Sequence, residues 1–429
     1  MLNDELHGKY LEVLKKIELT EFENTNLSEL LYNQAYYVIT RDNGYTLFTI
    51  FISLFFERGI LKYEKKCDKI LLYSQVYKRR DYFEYWNKVC NLFPDASRMD
   101  FFDLSLQNWY RCFRPHKFAD KFLRLVRFAK ALYEIENEIH RFYLGAQLVW
   151  MDEILRKIEK LNIDEKVSMC FFDGNVFESV AIIELKRRHI ITLTNQHGQP
   201  VFRDRKRDRI GQGQIFNVKS DIYIAKGDFT KEQFIKANRL DVDVRVVGGF
   251  GEVREVKSCK KKAFGVFLDC PTYSFAQMGN VEMINMSHEI KKKWGLKLFI
   301  KLHPQDNMKS YRKYIEEDDI ILEKQDSLVD ICSNIDFAII NSSGIYVDLI
   351  SLGIKTYRIN RGEYFPLVTS EGDLFDNVED FNEKYSDWEK KDILQKKSYL
   401  LELRNKYCVT ENVQINLRNL VNGLLSELS

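Results

Sequence analysis

The sequence predicts an α/β protein of two halves, each a parallel β-sheet flanked by helices. Two observations carry that expectation. Between residues 166 and 248, and again between 263 and 360, short apolar runs alternate with segments of helical spacing, the pattern of consecutive βαβ units. Between them GFGEVREVKSCKKK (249–262) holds glycine and charge without apolar periodicity and reads as a linker. A length of 429 residues suits two domains, and 45% hydrophobic residues is enough for two cores. The expected organisation is a first domain over 1–250, helical through 1–165, a linker over 251–262, and a second domain over 263–429.

The stretch to residue 165 reads mostly helical, with KILLYS (69–74) as its one clear strand. LFTIFISLFF (47–56) is the most apolar run. It is too short to cross a bilayer and predicts a buried helix or strand, with docking to a membrane surface as the lesser reading. Residues 118–161 carry apolar positions at helical spacing without proline, which predicts one long helix or two joined end to end. Packing onto the first domain and a coiled-coil homodimer both fit that pattern.

Then the alternation begins. KVSMCFF (166–172), HIITLTN (189–195), DIYIA (221–225) and DVRVVG (243–248) are strands, with helices at NVFESVAIIELKRR and TKEQFIKAN, and GQIFNVK reads as a short helix. In the second half AFGVFLDC, LKLFIKLH, DIILE, DFAIINS and KTYRIN are strands. VEMINMSHEIKKKW, SLVDICSN and GIYVDLISLG are helices, and two more start near Trp388 and Asn412. Open parallel sheets of this kind are Rossmann-like and bind ligands outside the carboxyl ends of their strands.

Bulk properties narrow the function. A net charge of +2 argues against a nucleic-acid partner held by bulk charge. Eight scattered cysteines include no CxxC pair, which excludes zinc-ribbon and redox spacing and suits a reducing cytosol. The polar start MLNDELHGKYLEV is not a signal peptide. DVD (241–243) matches a metal signature but precedes a strand in the wrong context, GGFGEV lacks the dinucleotide spacing, and no Walker, HExxH or GxSxG sequence occurs. His7, His116, His140 and His288 sit in helical, charged surroundings and read as surface or packing residues.

Four segments carry chemistry. In AIINSSGIYVDLISLG a buried strand delivers Asn341, Ser342, Ser343 and Gly344 to a helix start, where free N–H groups and two hydroxyls suit phosphate oxygens; Asp348 lies one turn in, within reach of ribose hydroxyls. The alternative is an ordinary serine N-cap. In KLFIKLHPQD a strand stops at Pro304, leaving His303 at its mouth with Lys301 on the same side. Imidazole there suits a phosphate or developing leaving-group charge; the alternative is a structural histidine. TLTNQHGQPVFRDRKRDR places His197 before Gly198, a candidate general base beside a tight turn. Its basic run, with Arg203, Arg205 and Arg207, suits an anionic acceptor or is a solvated loop balanced by Asp204 and Asp208. In FFDGNVFES, Asp173 is a second candidate base, an orienting partner, or a helix cap.

NSSGIYVDLISLGIKTYRI resembles the nucleotide-sugar loop of GT-B glycosyltransferases and the related UDP-N-acetylglucosamine 2-epimerases. Ser342, Ser343, Gly344, Asp348, Leu352 and Gly353 fall in that pattern's places, with Asp348 for the usual Glu and Lys355 for a common proline. His303-Pro304 and His197-Gly198 are similar to motifs of capsule, polysialyl-, Kdo- and teichoic-acid-type transferases, without the Thr-Pro-x-Lys continuation of the glycerophosphotransferases. The resemblance implies a GT-B fold, two Rossmann-like domains facing a cleft, with extra terminal helices. It also implies an inverting, metal-independent glycosyltransferase of bacterial surface polysaccharide synthesis, needing no cofactor beyond its nucleotide-sugar donor. The resemblance further implies a saccharide acceptor, lipid-linked, and a cytoplasmic enzyme peripheral at the inner face of the cell membrane. A CDP-polyol phosphotransferase, a nucleotide-sugar epimerase and a non-catalytic helical scaffold are the alternatives.

Overall fold

The computed structural model describes residues 12–13, 15–17, 21–22, 25–26, 31, 43–58, 60–75, 80–102, 109–196, 198, 200, 218–250, 262–269, 274–303, 306–322, 326–341, 344–360 and 371–428. The chain forms two compact units: Met1–Ala225, Lys231–Val246 and Gln414–Ser429 make the first, Lys226–Thr230 and Val247–Val413 the second.

In the first unit α1 (Asn43–Phe55) leads into β1 (Ile60–Glu64) and β2 (Ile70–Gln75), then α2 (Arg80–Leu92) and β3 (Ser97–Phe102). Helices α3 (Phe118–Ala131) and α4 (Glu138–Glu159) follow, then β4 (Val167–Cys170), α5 (Val176–Arg187), β5 (Ile191–Asn195), β6 (Ile222–Ala225), α6 (Asp228–Lys236) and β7 (Asp243–Val246). The sheet order is β1-β3-β2-β4-β5-β6-β7. Only the edge pair β1–β3 is antiparallel. The stretch before residue 165, expected to be mostly helical, thus supplies three strands to this sheet, besides a short antiparallel pair at Glu21–Phe22 and Thr25–Asn26. β1, at the edge, and β3 beside it escape the sequence reading because one face of each is open to solvent, so charge alternates with apolar residues (ILKYE, SRMDFF), while central strands such as β4 are buried on both faces and carry no charge.

The segment 118–161 is neither one helix nor two in line. α3 and α4 fold back on each other: Arg124 Nη1 meets Asp152 Oδ2 at 2.6 Å, and buried Lys121 meets Glu153 Oε2 at 3.1 Å. Asn137 caps α4 by accepting from the His140 N–H at 3.2 Å. Gly145 lets the pair approach, since a Cβ there would lie 3.2 Å from Leu125 Cδ1 and 3.3 Å from the Ala129 nitrogen. Leu144, Val149, Met151 and Ile154 of α4 join the first unit's core with Leu71, Met99 and Val180.

The second unit runs β8 (Ala263–Phe267), α7 (Ser274–Trp294), β9 (Lys297–Lys301), β10 (Ile320–Leu322), α8 (Leu328–Cys332), β11 (Phe337–Ile340), α9 (Ile345–Ser351), β12 (Lys355–Ile359) and β13 (Leu374–Phe375). All neighbours are parallel in the order β10-β9-β8-β11-β12-β13. Phe264, Val266, Leu298, Ile300, Phe337 and Ile339 pack on Met283, Ile284 and Ile290 of α7. The chain closes with the two expected terminal helices, α11 (Ile393–Tyr407) and α12 (Val413–Glu427), preceded by a further one that the sequence reading did not separate, α10 (Val378–Lys390). α10 begins where Asn377 accepts from the Asp380 N–H, α11 carries a capping box between Asp392 and Gln395, and α12 groups with the first unit from residue 414.

Candidate functional site

In the second sheet β8 lies between β9 and β11, so the chain leaves β8 toward one edge and returns from β11 toward the other. Such a reversal opens a crevice at the carboxyl ends of the two strands. Because paired residues of a parallel sheet share a face, Lys301, Phe267, Ile340 and Arg358 form one row across β9, β8, β11 and β12. Their strand neighbours Ile300, Val266, Ile339, Tyr357 and Ile359 pack into the core on the α7 side. The row faces α9, where the Arg358 guanidinium lies 5.3 Å from the Tyr346 ring centroid. Asp269 and His303 lie two residues beyond Phe267 and Lys301.

Arg358 is 1% exposed, and burial pushes its pKa down to about 10, with Tyr346 and then Asp269 acting in the opposite sense. Asp269 is itself buried, and its backbone is held by Asn280: the Asp269 N–H donates to Asn280 Oδ1 at 2.9 Å, and Asn280 Nδ2 donates to the Asp269 carbonyl at 3.0 Å. Asn280 also donates to Tyr311 OH (3.0 Å), which donates to Asp306 Oδ2 (2.6 Å), and the Asp306 N–H donates to the His303 carbonyl (2.8 Å). This chain of bonds fixes the turn that carries half-buried His303. Lys301 is half-buried and donates to the Asp326 carbonyl at 3.3 Å; burial lowers its pKa, with Asp326 opposing.

β11 ends in buried Asn341, and α9 opens at Gly344 (φ −66, ψ −10) without a side-chain cap. Nothing lies within 4 Å of a Cβ built on Gly344, so the helix start has open space over it. Asp348 is exposed on the first turn. α9 is only seven residues long, so local N–H groups rather than a long dipole carry its anion affinity. Its setting is rigid: Tyr346 OH donates to Asp373 Oδ2 at 2.7 Å, Tyr399 OH donates to Asp373 Oδ1 at 2.6 Å, and buried Lys355 is ion-paired to the same carboxylate. The Lys355 ammonium lies 4.2 Å and 4.8 Å from the Tyr399 and Trp388 ring centroids. The lysine at the pattern's proline position therefore anchors β12 and α9 to α11. Ser342 and Ser343 lie outside the described residues.

The first unit's carboxyl edge is built differently. Asp173 is 1% exposed; its Oδ2 accepts from the N–H groups of Lys219 (2.8 Å) and Ser220 (3.1 Å). Its own N–H donates to Thr194 Oγ1 at 3.0 Å. Asn175, not Asp173, occupies the N-cap of α5. Buried Glu178 accepts the Gln75 N–H at 2.9 Å, and Asn195 Nδ2 donates to the Cys170 carbonyl at 2.8 Å. Gly198 has φ +70, a left-handed turn that suits glycine after β5, and Gln196 Nε2 donates to its carbonyl at 2.9 Å. His197, Arg203, Arg205 and Arg207 lie outside the described residues.

The second unit thus brings Lys301, His303, Gly344 and Asp348 to one end of one sheet. Arg358 and Asp269 stand there too, and the sequence reading missed both. A cation inside the buried run KTYRI was the available signal, since β12 is buried at every position. Elsewhere His288 Nε2 is 2.7 Å from Asp319 Oδ2, and Glu316 completes a set with metal-ligand spacing. Lys291 Nζ lies 2.9 Å from Glu316, 2.5 Å from Asp318 and 2.8 Å from Asp319, so an ammonium already supplies positive charge there.

No family model matches the sequence, and no curated protein matches it. Solved structures do. The UDP-GlcNAc 2-epimerase of Methanocaldococcus jannaschii, solved with UDP-GlcNAc and UDP, aligns at 13% identity with a TM-score of 0.51 over 83% of this chain and 100% of its own. S. aureus MnaA, solved with UDP, aligns at 11% identity with a TM-score of 0.51 over 83% and 97%. A variant of S. aureus TarM solved with UDP aligns at 16% identity with a TM-score of 0.43 over 63% and 59%. The two-sheet α/β architecture is of the GT-B type, as the sequence motifs led one to expect. Among the described residues no helix is long and apolar enough to cross a membrane.

Proposed function

We propose that the protein is an enzyme acting on a nucleotide-activated sugar, and that it transfers the sugar to a saccharide acceptor in surface polysaccharide synthesis. The carrying observation is the cationic end of the second sheet. Lys301, His303 and buried Arg358 stand at the switch point with the open start of α9, while Asp269 is the buried carboxylate beside them. That charge balance suits a diphosphate. His303 and the α9 start take the phosphates and stabilise the leaving nucleotide without a metal, Asp348 takes the ribose, and His197 takes the proton of the acceptor hydroxyl as an inverting base. Asp173 orients the loops around His197 rather than acting as the base, because its carboxylate holds two backbone N–H groups. Arg203, Arg205 and Arg207 meet the anionic part of a lipid-linked acceptor, which would bring the protein to the inner face of the membrane.

A second reading, nucleotide-sugar epimerase, is favoured by the fold shared with two proteins solved with UDP, one of them a named UDP-GlcNAc 2-epimerase. An epimerase converts the donor alone, whereas a transferase needs an acceptor.

Calorimetric titration with UDP, CDP, CMP, GDP and dTDP tests the site, with His303→Ala beside the wild type. One nucleotide should bind, and His303→Ala should weaken it by roughly tenfold or more. CDP or CMP binding would favour the polyol-phosphate alternative. Failure of all five to bind would sink the site assignment. Incubating the matching sugar nucleotide without acceptor then separates the two readings: a new C2 epimer identifies the epimerase, and an unchanged sugar supports the transferase.

A further inference from the structure

The first unit carries a helix with large apolar side chains on two faces. α1 and the residue after it, residues 43–56, contain no charged residue. Its inward side holds Thr46, Thr49, Ser53 and Leu54, all buried, with Ile50 and Phe55 packed on the core beside them. Its outer side carries Phe48 at 60% exposure, Phe51 at 52% and Leu47 at 54%, an exposed apolar strip that a soluble surface does not need.

The exposed rings continue onto α3. Phe51 and Phe55 centroids are 4.6 Å apart, Phe55 and Phe118 5.0 Å, and Phe118 and Phe122 6.0 Å. Leu123 beside them is 69% exposed. The strip before α3 is bound to the end of α1, with the Arg114 N–H donating to the Phe55 carbonyl and the Glu57 N–H to the Cys112 carbonyl, each at 2.7 Å. That strip adds exposed Trp109, Tyr110 and Phe113. Phe113 packs near Phe56, with ring centroids 5.3 Å apart, so the ring series Phe51–Phe55–Phe118–Phe122 has a second exposed aromatic cluster beside it on the same bound strip.

The surrounding sequence is rich in cations: Trp109 to Ala131 holds seven lysines and arginines and one acid, Asp120. Two of the seven are not part of the rim, since Lys121 is buried against Glu153 and Arg124 is ion-paired with Asp120 and Asp152. Some of these cations have acidic neighbours, but Glu57 alone is shared by Lys157 (2.7 Å), Arg114 (3.4 Å) and Lys117 (3.9 Å), which leaves that corner positive. Arg127 and Lys130 are exposed and continue the outer side of α3 beyond Leu123.

We propose that this face is a docking surface for an anionic bilayer, with Phe48, Phe51, Phe118 and Phe122 entering the headgroup region and the basic rim meeting lipid phosphates. Aromatic side chains favour that interface, and a single amphipathic face gains strength from anionic lipid. A second copy of the chain fits less well, since a two-fold axis would set the cationic rim against itself. The proposal is read from the first unit alone and does not depend on the nucleotide reading.

Flotation of the full chain with phosphatidylcholine vesicles, with and without phosphatidylglycerol, tests it. The wild type should float with phosphatidylglycerol vesicles and be released by salt. Phe48→Ser with Phe51→Ser should lower partitioning roughly tenfold, and Arg127→Glu with Lys130→Glu about as much, with circular dichroism and nucleotide affinity unchanged. Three results would overturn the proposal: no flotation with either vesicle; variants that float like the wild type; or wild-type dimers in sedimentation that the phenylalanine variant makes monomeric, without lipid binding.

Discussion

At the carboxyl edge of the first sheet, Asp173, Glu178 and Asn195 commit their side chains to backbone groups, holding the 219–220 turn, the end of β2 and the end of β4. At the carboxyl edge of the second, backbone fixation is left to Asn280 and Asp306, while Lys301 and Arg358 bring positive charge to the switch point beside His303. Both sheets are parallel, apart from the β1–β3 pair of the first, and both end in buried polar residues. The difference teaches that burial of a charged residue at a strand end does not itself mark a ligand site. What differs at the second edge is the sign and grouping of the charge: cations gathered on one row beside an open helix start, not a carboxylate folded onto a turn.

The sharpest way to break this comparison is Asp173→Ala. If Asp173 is a loop staple, the variant strands two buried N–H groups and should lose about 3 kcal/mol of stability in urea unfolding. Its nucleotide affinity should stay unchanged. Unaltered stability with abolished turnover would instead make Asp173 the base and erase the contrast between the two edges. Next in size is Arg358→Met. Losing a charge-assisted contact to phosphate should weaken nucleotide binding about thirtyfold. Stability should fall as well, because Asp269 is left as a buried carboxylate without the cation that opposes its charge. Unchanged affinity would reduce Arg358 to an internal counter-ion of Asp269.

Legibility followed burial on both faces. The central strands β4 and β11 were readable because every position is apolar or small. β1 and β3 were not, since their side chains alternate with solvent. The break between α3 and α4 lies in a stretch with neither proline nor glycine; its local cue is Asn137, the N-cap of α4, and Gly145 then lets the reversed helices approach. α1 was read as an apolar run, but its orientation is set by tertiary contacts, so Thr46 and Ser53 turned inward without a sequence cue. Within the site, the motif residues stood out because their spacing is local. Arg358 and Asp269 meet them only through strand register, which no short motif records.

A smaller effect sharpens the account of the second edge. Burial holds the Lys301 pKa below the ordinary lysine value of 10.5. The unfolded chain keeps that proton to higher pH than the folded one. Between the lowered value and 10.5 the Lys301 contribution to stability therefore rises with pH, as the cost of burying the charge is relieved. Phosphate affinity should move the opposite way, falling about fivefold as the ammonium is lost. Lys301→Gln should be weaker at neutral pH and show none of that fall. A wild-type profile flat to above 10.5 would take Lys301 away from the phosphates.

The smallest change asks where the ligand sits. At Gly344 the backbone is ordinary right-handed helix, so alanine meets no strain, and nothing lies within 4 Å of the added methyl. Alanine is a poorer N-cap than glycine, but it also restricts the unfolded chain, and the two effects nearly cancel, leaving stability within about 0.5 kcal/mol. A methyl group pointing into space reserved for phosphate should still cost about threefold in nucleotide affinity. Stability and affinity are thereby uncoupled: a variant that melts like the wild type but binds more weakly places the nucleotide over the α9 start. One that both melts and binds like the wild type moves the phosphates toward Lys301 and His303 and leaves the open space over Gly344 to another part of the donor.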